Sequence, residues 1–408
     1  MKLKMTLSEE LIWRGFVHQT TLKDLKELDE NKLTFYHGFD ASSDSQTIGN
    51  LAAMMIDLAF IRHGHKAVIL AGGATSLVGD PGGKTDERVL KTEEVIAHNV
   101  SCAEKQLRKI YGDRPFEMVN NLDWTKDLSL IDFLRTIGKN FSIGDLIKKD
   151  FIASRIGVGS SGISYAEFSY TLLQGMDFLH LFDERGVTLQ IGGSDQWGNC
   201  ISGVELIRKV RGKETHVLTH PLVMDKSTGR KFGKSEDGAV WLDSAKTSSF
   251  KMYQFWLNVD DDAVSDYIKI YTEIQKEEFD ELILMFNADR AGRSAQKYLA
   301  YEVTKLVHGS EAAESVKRIS EVLFSNKEVS GLTTKDFKAL SLELPSSDLE
   351  SILEFLISAN LVKSKAEARR FIEQGAVSVN GIKINDLDLK LKSPSLVKKG
   401  KNSFAVKI

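Results

Sequence analysis

Residues 32–71 constrain the fold more than any other stretch, because a strand pattern, a helix pattern and a second strand pattern follow one another almost without connecting chain. Lys32-Leu33-Thr34-Phe35-Tyr36-His37-Gly38-Phe39-Asp40 reads as a strand running into a turn. Apolar residues then recur at helical spacing across 48–63, at Ile48, Leu51, Met54, Met55, Leu58 and Ile61, and the pattern ends near Gly64. Lys66-Ala67-Val68-Ile69-Leu70-Ala71 is a short continuous apolar run, as expected of a parallel strand covered on both faces. Further strand patterns at 116–122, 187–192 and 217–224 are separated by helical stretches. This alternation predicts an α/β fold with a doubly wound parallel sheet and ligands at the C-terminal ends of its strands.

A chain of 408 residues is more than one core usually serves. The α/β domain is expected over 1–242. From Asp243 to about Ser325 the spacing is helical, with Phe250, Tyr253, Trp256 and Leu257 followed by Tyr267, Ile270 and Tyr271, which predicts a helical domain over 243–325. Residues 326–350 are polar and mixed, broken most clearly at Pro345-Ser346-Ser347-Asp348, and read as a linker. Two short helical patterns and Gly375-Ala376-Val377-Ser378-Val379-Asn380-Gly381, a strand with an Asn-Gly turn signal, make 351–408 a small α+β domain. That segment carries 11 Lys/Arg against 5 Asp/Glu while the rest carries 43 against 52, so a net charge of −3 conceals a basic unit suited to a polyanion. The two cysteines, Cys102 and Cys200, are too few for a disulfide framework or a CxxC metal site and fit a reducing cytoplasm as plain buried or half-buried residues. Met1–Glu10 lacks a targeting pattern and no apolar run approaches a membrane span, so a cytoplasmic chain with no membrane partner is expected.

Three motifs fall at the ends of strand patterns. Thr47-Ile48-Gly49-Asn50 opens the first helix, where unpaired backbone N–H groups and a partial positive charge suit phosphate. Gly192-Gly193-Ser194-Asp195-Gln196-Trp197-Gly198-Asn199 follows a later strand, and Lys231-Phe232-Gly233-Lys234-Ser235 is a lysine loop with a glycine. Tyr170, Gln174 and Asp177 are spaced to share one face of a helix, an arrangement of phenol, amide and carboxylate that suits a binding pocket.

In this order the motifs resemble those of the class I aminoacyl-tRNA synthetases in their bacterial tyrosyl form, over nearly the whole chain. The resemblance implies a Rossmann-like catalytic domain that joins L-tyrosine to ATP with release of pyrophosphate, then passes tyrosine to the 3′ end of tRNA(Tyr). Thr47 and Asn50 stand where that family's His-Ile-Gly-His signature has histidines; both keep hydrogen-bonding groups, and neither carries charge. Gly49 would leave room for adenine. Lys231 and Lys234 resemble the second signature, and Lys84 and Arg88, in the loop from Asp80, a second basic loop; such contacts act by strengthening as charge moves in the transition state. His37, Gly38, Asp40, Ser42, Gly193, Asp195 and Ser235 correspond to ATP-binding positions, with His37 replacing a usually small residue at the ribose. Tyr36 and Asp177 would meet the substrate phenol, Tyr170, Gln174 and Asp80 its ammonium group, and Gln190 and Gln196 would orient it. No protein nucleophile is required, and Mg2+ would come with the ATP, with no dedicated protein metal site.

Residues 351–408 resemble the α-L RNA-binding motif through Leu361-Val362-Lys363-Ser364-Lys365-Ala366-Glu367-Ala368-Arg369-Arg370-Phe371-Ile372 and the strand after it. Lys363, Lys365, Arg369 and Arg370 would reach RNA phosphates from a helix capped by Ser364. Phe133–Ile147, with Lys139-Asn140-Phe141-Ser142, matches the family's subunit contact and implies a homodimer. Two other readings remain: a tryptophanyl enzyme, which shares the Thr-Ile-Gly-Asn spelling, and an RNA-binding paralogue without activation chemistry. The Tyr36/Asp177 pair argues against the first, and retention of both loop lysines and Asp195 against the second.

Overall fold

The computed structural model describes residues 5–79, 91–153, 155–156, 162–224, 232, 234–235, 238–324 and 328–408, with backbone alone at 150, 151, 234, 235 and 238. The chain divides into two compact units, 1–247 with 260–295, and 248–259 with 296–408.

The first unit is built on six strands: β1 Gln19–Thr20, β2 Thr34–Asp40, β3 Lys66–Gly72, β4 Glu117–Asn120, β5 Val187–Gly193 and β6 His216–His220. Their order across the sheet is β1-β6-β5-β2-β3-β4, parallel throughout except for the edge pair β1/β6. The chain winds outward from β2 through β3 to β4, then returns to lay β5 on the other side of β2. The reversal of winding falls between β2 and β5, and a sheet of this kind opens its ligand crevice there, at the strand C-termini.

Helices cover the sheet as the apolar spacing predicts. After α1 (Leu7–Arg14), α2 (Ile48–Arg62) joins β2 to β3 and buries nearly every side, from Ile48 to Ile61. Then come α3 (Glu93–Tyr111), α4 (Tyr165–Arg185) and α5 (Trp197–Arg211). Serine at 164 caps α4, accepting from Glu167 N at 3.3 Å, and Gly186 ends it in the left-handed conformation, φ 63°. The strand side chains alternate between faces: Tyr36 packs on Phe178 of α4 at 5.2 Å between ring centroids, whereas its neighbour His37 meets Asp57 of α2.

The second unit holds α6 (Ser249–Leu257), α9 (Ser310–Phe324), α10 (Thr334–Ser341), α11 (Ile352–Ser358) and α12 (Lys365–Glu373); α7 (Asp261–Tyr271) and α8 (Lys276–Ala288) belong to the first. The stretch 243–325 is helical as expected, but its helices divide between the units. The stretch 326–350 differs from a linker. Thr333 caps α10, accepting from Asp336 N at 3.2 Å; Asp336 pairs with Arg318 at 3.0 Å, and Phe337 and Leu340 are buried. Strand β7 (Ser346–Ser347) then joins the edge of a five-stranded sheet with β8 (Val377–Val379), β9 (Ile382–Lys383), β10 (Ser395–Lys399) and β11 (Ser403–Lys407), in the order β9-β8-β10-β11-β7. The break at Pro345 is real, but the residues after it have open backbone groups beside β11 and pair with them. Between β8 and β9, Asn380 (φ 52°) and Gly381 (φ 83°) form the two-residue turn that the Asn-Gly signal predicts.

Candidate active site

A cavity of about 300 Å³ opens where β2 and β5 end. Its wall includes Tyr36, His37, Gly38, Asp40 and Ser42 from β2 and the turn after it, Asn50 from α2, Tyr170, Gln174 and Asp177 from α4, and Gln190, Gly193 and Gln196 from β5 and the turn that follows. Residues predicted from distant segments are thus brought to one place. Thr47, Gly49 and Asp195 do not line it. Asp80, Lys84, Arg88 and Lys231 lie outside the described residues, as do the side chains of Lys234 and Ser235.

The α4 side of the cavity is a polar pocket set in apolar packing. Asp177, 2% exposed, accepts from Asn121 Nδ2 and Trp124 Nε1, each at 2.9 Å. Burial pushes its carboxyl up to about 7, against the pull of those two donors and with the charge of Asp40 adding to the rise. Burial, with the nearby Cys200 and Asp177, holds the Tyr36 phenol well above its ordinary range, so it is an O–H donor. The Tyr36 hydroxyl, Gln174 Oε1 and Gln190 Oε1 are buried with no hydrogen-bond partner among the described residues. Burying such groups unpaired is costly, and three facing one cavity mark it as built for a polar ligand. Tyr170 donates its hydroxyl to Asp40 at 3.2 Å, which joins the end of β2 to the α4 face.

The α2 side is different. Asn50 Oδ1 accepts from Thr47 N at 3.0 Å and from Thr47 Oγ1 at 2.9 Å, so the two neutral signature residues hold each other at the helix start. A Cβ at Gly49 would meet only Thr47 Oγ1, at 3.4 Å, so the protein itself does not demand glycine there. At Gly193 a Cβ would come within 2.7 Å of Asp195 Oδ1, which keeps the backbone bare at the end of β5. His37 Nδ1 lies 2.9 Å from Asp57 Oδ2, and the same oxygen accepts from Tyr111 at 2.7 Å. Of the lysine loop, Phe232 is buried and stacks on Tyr267, with ring centroids 4.2 Å apart. Beyond it the backbone of Lys234–Ser235 pairs with Gly238–Ala239.

Sequence reasoning missed Asn121, Trp124, Asp57 and Tyr111. Trp124 lies in the one-turn helix Leu122–Thr125 after β4 and Asn121 at its N-terminus, with no motif around them. Asp57 did carry a signal, a lone carboxylate inside an otherwise apolar helix. In the second unit, Lys363, Lys365, Arg369 and Arg370 are all exposed on or beside α12, and Ser364 caps it as expected, accepting from Glu367 N at 3.2 Å. Both cysteines are free, Cys200 buried and Cys102 half-buried. Among the described residues no helix is long and apolar enough to cross a membrane, and no cluster of acidic, histidine or cysteine residues could hold a metal ion.

Residues 28–325 match the family of tRNA synthetases class I (W and Y), and residues 335–406 match the tyrosine–tRNA ligase SYY-like C-terminal domain. The chain is 43% identical to tyrosine–tRNA ligase 2 of Bacillus cereus, with 98% of this chain and 99% of that relative aligned. It is 42% identical to tyrosine–tRNA ligase of Streptococcus suis at the same coverage. Among solved structures it is similar to a C-terminally truncated Aspergillus nidulans mitochondrial tyrosyl-tRNA synthetase, with a TM-score of 0.70 and 29% identity over 79% of this chain and 95% of that one. Fold, order of motifs and near full-length likeness agree: the chain belongs to the class I tRNA synthetases, among the tyrosine–tRNA ligases.

Proposed function

We propose that the α4 side of the cavity takes L-tyrosine and the α2 side takes ATP, so that the tyrosine carboxylate meets the α-phosphorus at the C-terminal ends of β2 and β5. The observation that carries this reading is the set of three unpartnered buried groups, Tyr36 Oη, Gln174 Oε1 and Gln190 Oε1, around the Asp177 carboxyl. Phenol and ammonium are the two polar ends of tyrosine, and the pocket offers acceptors for both. Asp177 accepts from the phenol, with Tyr36 beside it; Gln174, Tyr170 and Asp80 form the side that meets the ammonium group, Asp40, joined to Tyr170, lies toward the ATP, and Gln190 and Gln196 hold the orientation of tyrosine.

Activation needs no protein nucleophile. An oxygen of the tyrosine carboxylate attacks the α-phosphorus in line, the bond to the bridging oxygen breaks, and pyrophosphate leaves. ATP enters as its Mg2+ complex. Positioning and charge neutralisation carry the step: Gly38, Ser42, Gly49, Gly193 and Asp195 shape the adenosine side, Thr47 and Asn50 the helix start. Lys84, Arg88, Lys231, Lys234 and Ser235 are the groups that meet the phosphates. A ribose hydroxyl of the terminal adenosine of tRNA(Tyr) then attacks the carbonyl carbon, and AMP leaves. Lys363, Lys365, Arg369 and Arg370 grip the tRNA backbone. A second copy of the chain covers the exposed Leu130, Ile131, Leu134, Ile143 and Ile147 beside Phe133, an apolar surface too concentrated for a free face.

The test is exchange of labelled pyrophosphate into ATP, driven by tyrosine, tryptophan or phenylalanine in turn. Tyrosine alone should drive it, and Asp177→Ala should nearly abolish it. Exchange driven equally by tryptophan, or undiminished in Asp177→Ala, would contradict the assignment.

A further inference from the structure

We infer that His37, gripped from behind by Asp57, supplies the cavity with the positive charge that meets the nucleotide, in place of the signature histidines that this chain lacks. The inference rests on the reading that ATP occupies the α2 side.

Thr47 and Asn50 cannot carry charge, and the Asn50 carbonyl oxygen is engaged by Thr47. The cavity wall holds three carboxyl groups, Asp40, Asp57 and Asp177, and among the described lining residues His37 is the one basic side chain. An anionic ligand therefore meets either His37 or net negative charge on this described wall.

The surroundings of His37 are arranged for this role. Asp57 is 1% exposed and Tyr111 fully buried, so the Asp57 carboxyl has been taken out of water with His37 and the Tyr111 hydroxyl against it. A buried charge with one cationic partner is a costly arrangement to keep without use. Nδ1 donates to Asp57, which fixes the ring of this cavity-lining side chain and leaves Nε2, without a described partner, as a second donor. Burial by itself would favour the neutral ring, but the charge and hydrogen bond of Asp57 more than offset it and hold the pKa above the ordinary histidine value. The other groups near the ring are few. His220, from β6, is edge-on to it at 6.5 Å, and burial together with the charge of His37 pushes it down to about 4, against the charges of Asp57 and Asp195, so it stays neutral. Of these two neighbouring histidines, one is shifted toward its charged form and the other away from it.

The experiment measures ATP binding by calorimetry with the full chain, without tyrosine, from pH 5.5 to 9, beside the KM for ATP in pyrophosphate exchange. Expected are about tenfold weaker ATP binding in His37→Asn with tyrosine affinity little changed, and wild-type ATP affinity that falls as pH rises through the His37 pKa. That fall should vanish in His37→Asn. In Asp57→Asn, which keeps an oxygen for Tyr111, it should move to lower pH, together with the His37 ring signals in an NMR titration. Wild-type ATP affinity and pH slope in His37→Asn, or an unmoved His37 titration in Asp57→Asn, overturns the inference. Should His37→Asn misfold, the Asp57→Asn titration decides alone. Failure of tyrosine-dependent exchange in the wild type would instead strike the functional reading, since ATP binding is read without tyrosine.

Discussion

Burial raises the Asp177 carboxyl to about 7, and a phenol donates more strongly to its ionised form than to its neutral one. With a carboxyl that titrates near 7, tyrosine binding should tighten by up to about tenfold between pH 6 and pH 8, since the ionised fraction rises over that range. Calorimetric titration with tyrosine at those two pH values reads this directly, and an affinity flat with pH would show that the pocket does not use the carboxylate as acceptor. Glu10 shows the opposite shift. Burial raises its pKa, but hydrogen bonding to His63 and the charges of Arg62 and Arg14 outweigh that and lower it to about 2. The folded value is depressed, so the stability it contributes is present above its unfolded pKa and lost as pH falls through about 2. Glu10→Gln should therefore cost about 3 kcal/mol near neutral pH, because Arg14 stays buried, and urea unfolding should show the deficit shrinking below pH 4.5. Tyr170, Gln174 and Asp177 were legible in the sequence because helical spacing puts them on one face. Asn121, Trp124 and Tyr111 were not: each reaches its carboxylate across more than fifty residues, and no local pattern records such a contact.

Elements with a strong period were the readable ones. The units β2, α2 and β3 follow the apolar spacing almost residue for residue, since a strand covered on both faces and a helix buried nearly all round leave few polar interruptions. The short α10 was missed because eight residues give too little period to stand out, although Thr333 and Asp336 carry the capping pattern. At the start of α2 the mutual engagement of Thr47 and Asn50 has a measurable result. Each alanine substitution should cost about 1 kcal/mol of stability, and the double variant clearly less than the sum, since both singles break the same pair. Both should also slow adenylate formation, by less than Lys234→Ala does in single-turnover measurements. Additive losses in stability would mean that the two side chains act separately.

For the molecule as a whole, the strands of the basic C-terminal sheet share a core with helices that precede it. Leu396, Phe404 and Val406 pack with Ile319, Leu323, Phe337 and Leu340. Cutting the chain near Asp348 would bare that apolar surface, so RNA binding is better tested by charge than by deletion. Replacing Lys363, Lys365, Arg369 and Arg370 together by glutamine should leave tyrosine-dependent exchange in place and lower the rate of tRNA charging. It should also flatten the salt dependence of tRNA affinity by roughly one logarithmic slope unit per lost phosphate contact; an unchanged slope would move the RNA contact elsewhere. The charge asymmetry of the chain was legible in the sequence, whereas the shared core was not, because its two halves are separated by residues that read as a linker. The alternation of β2 has a consequence of another kind. Adjacent residues, Tyr36 and His37, pack toward different helices, α4 and α2, while both line the same cavity, so a single strand supplies both of its sides. On the proposed assignment, changes on the α4 side can redraw which amino acid is admitted while the α2 side stays as it is. A slip of one residue in β2 would exchange the side chains on its two faces at once, which makes the register of that strand, more than any one side chain in it, the feature least open to drift.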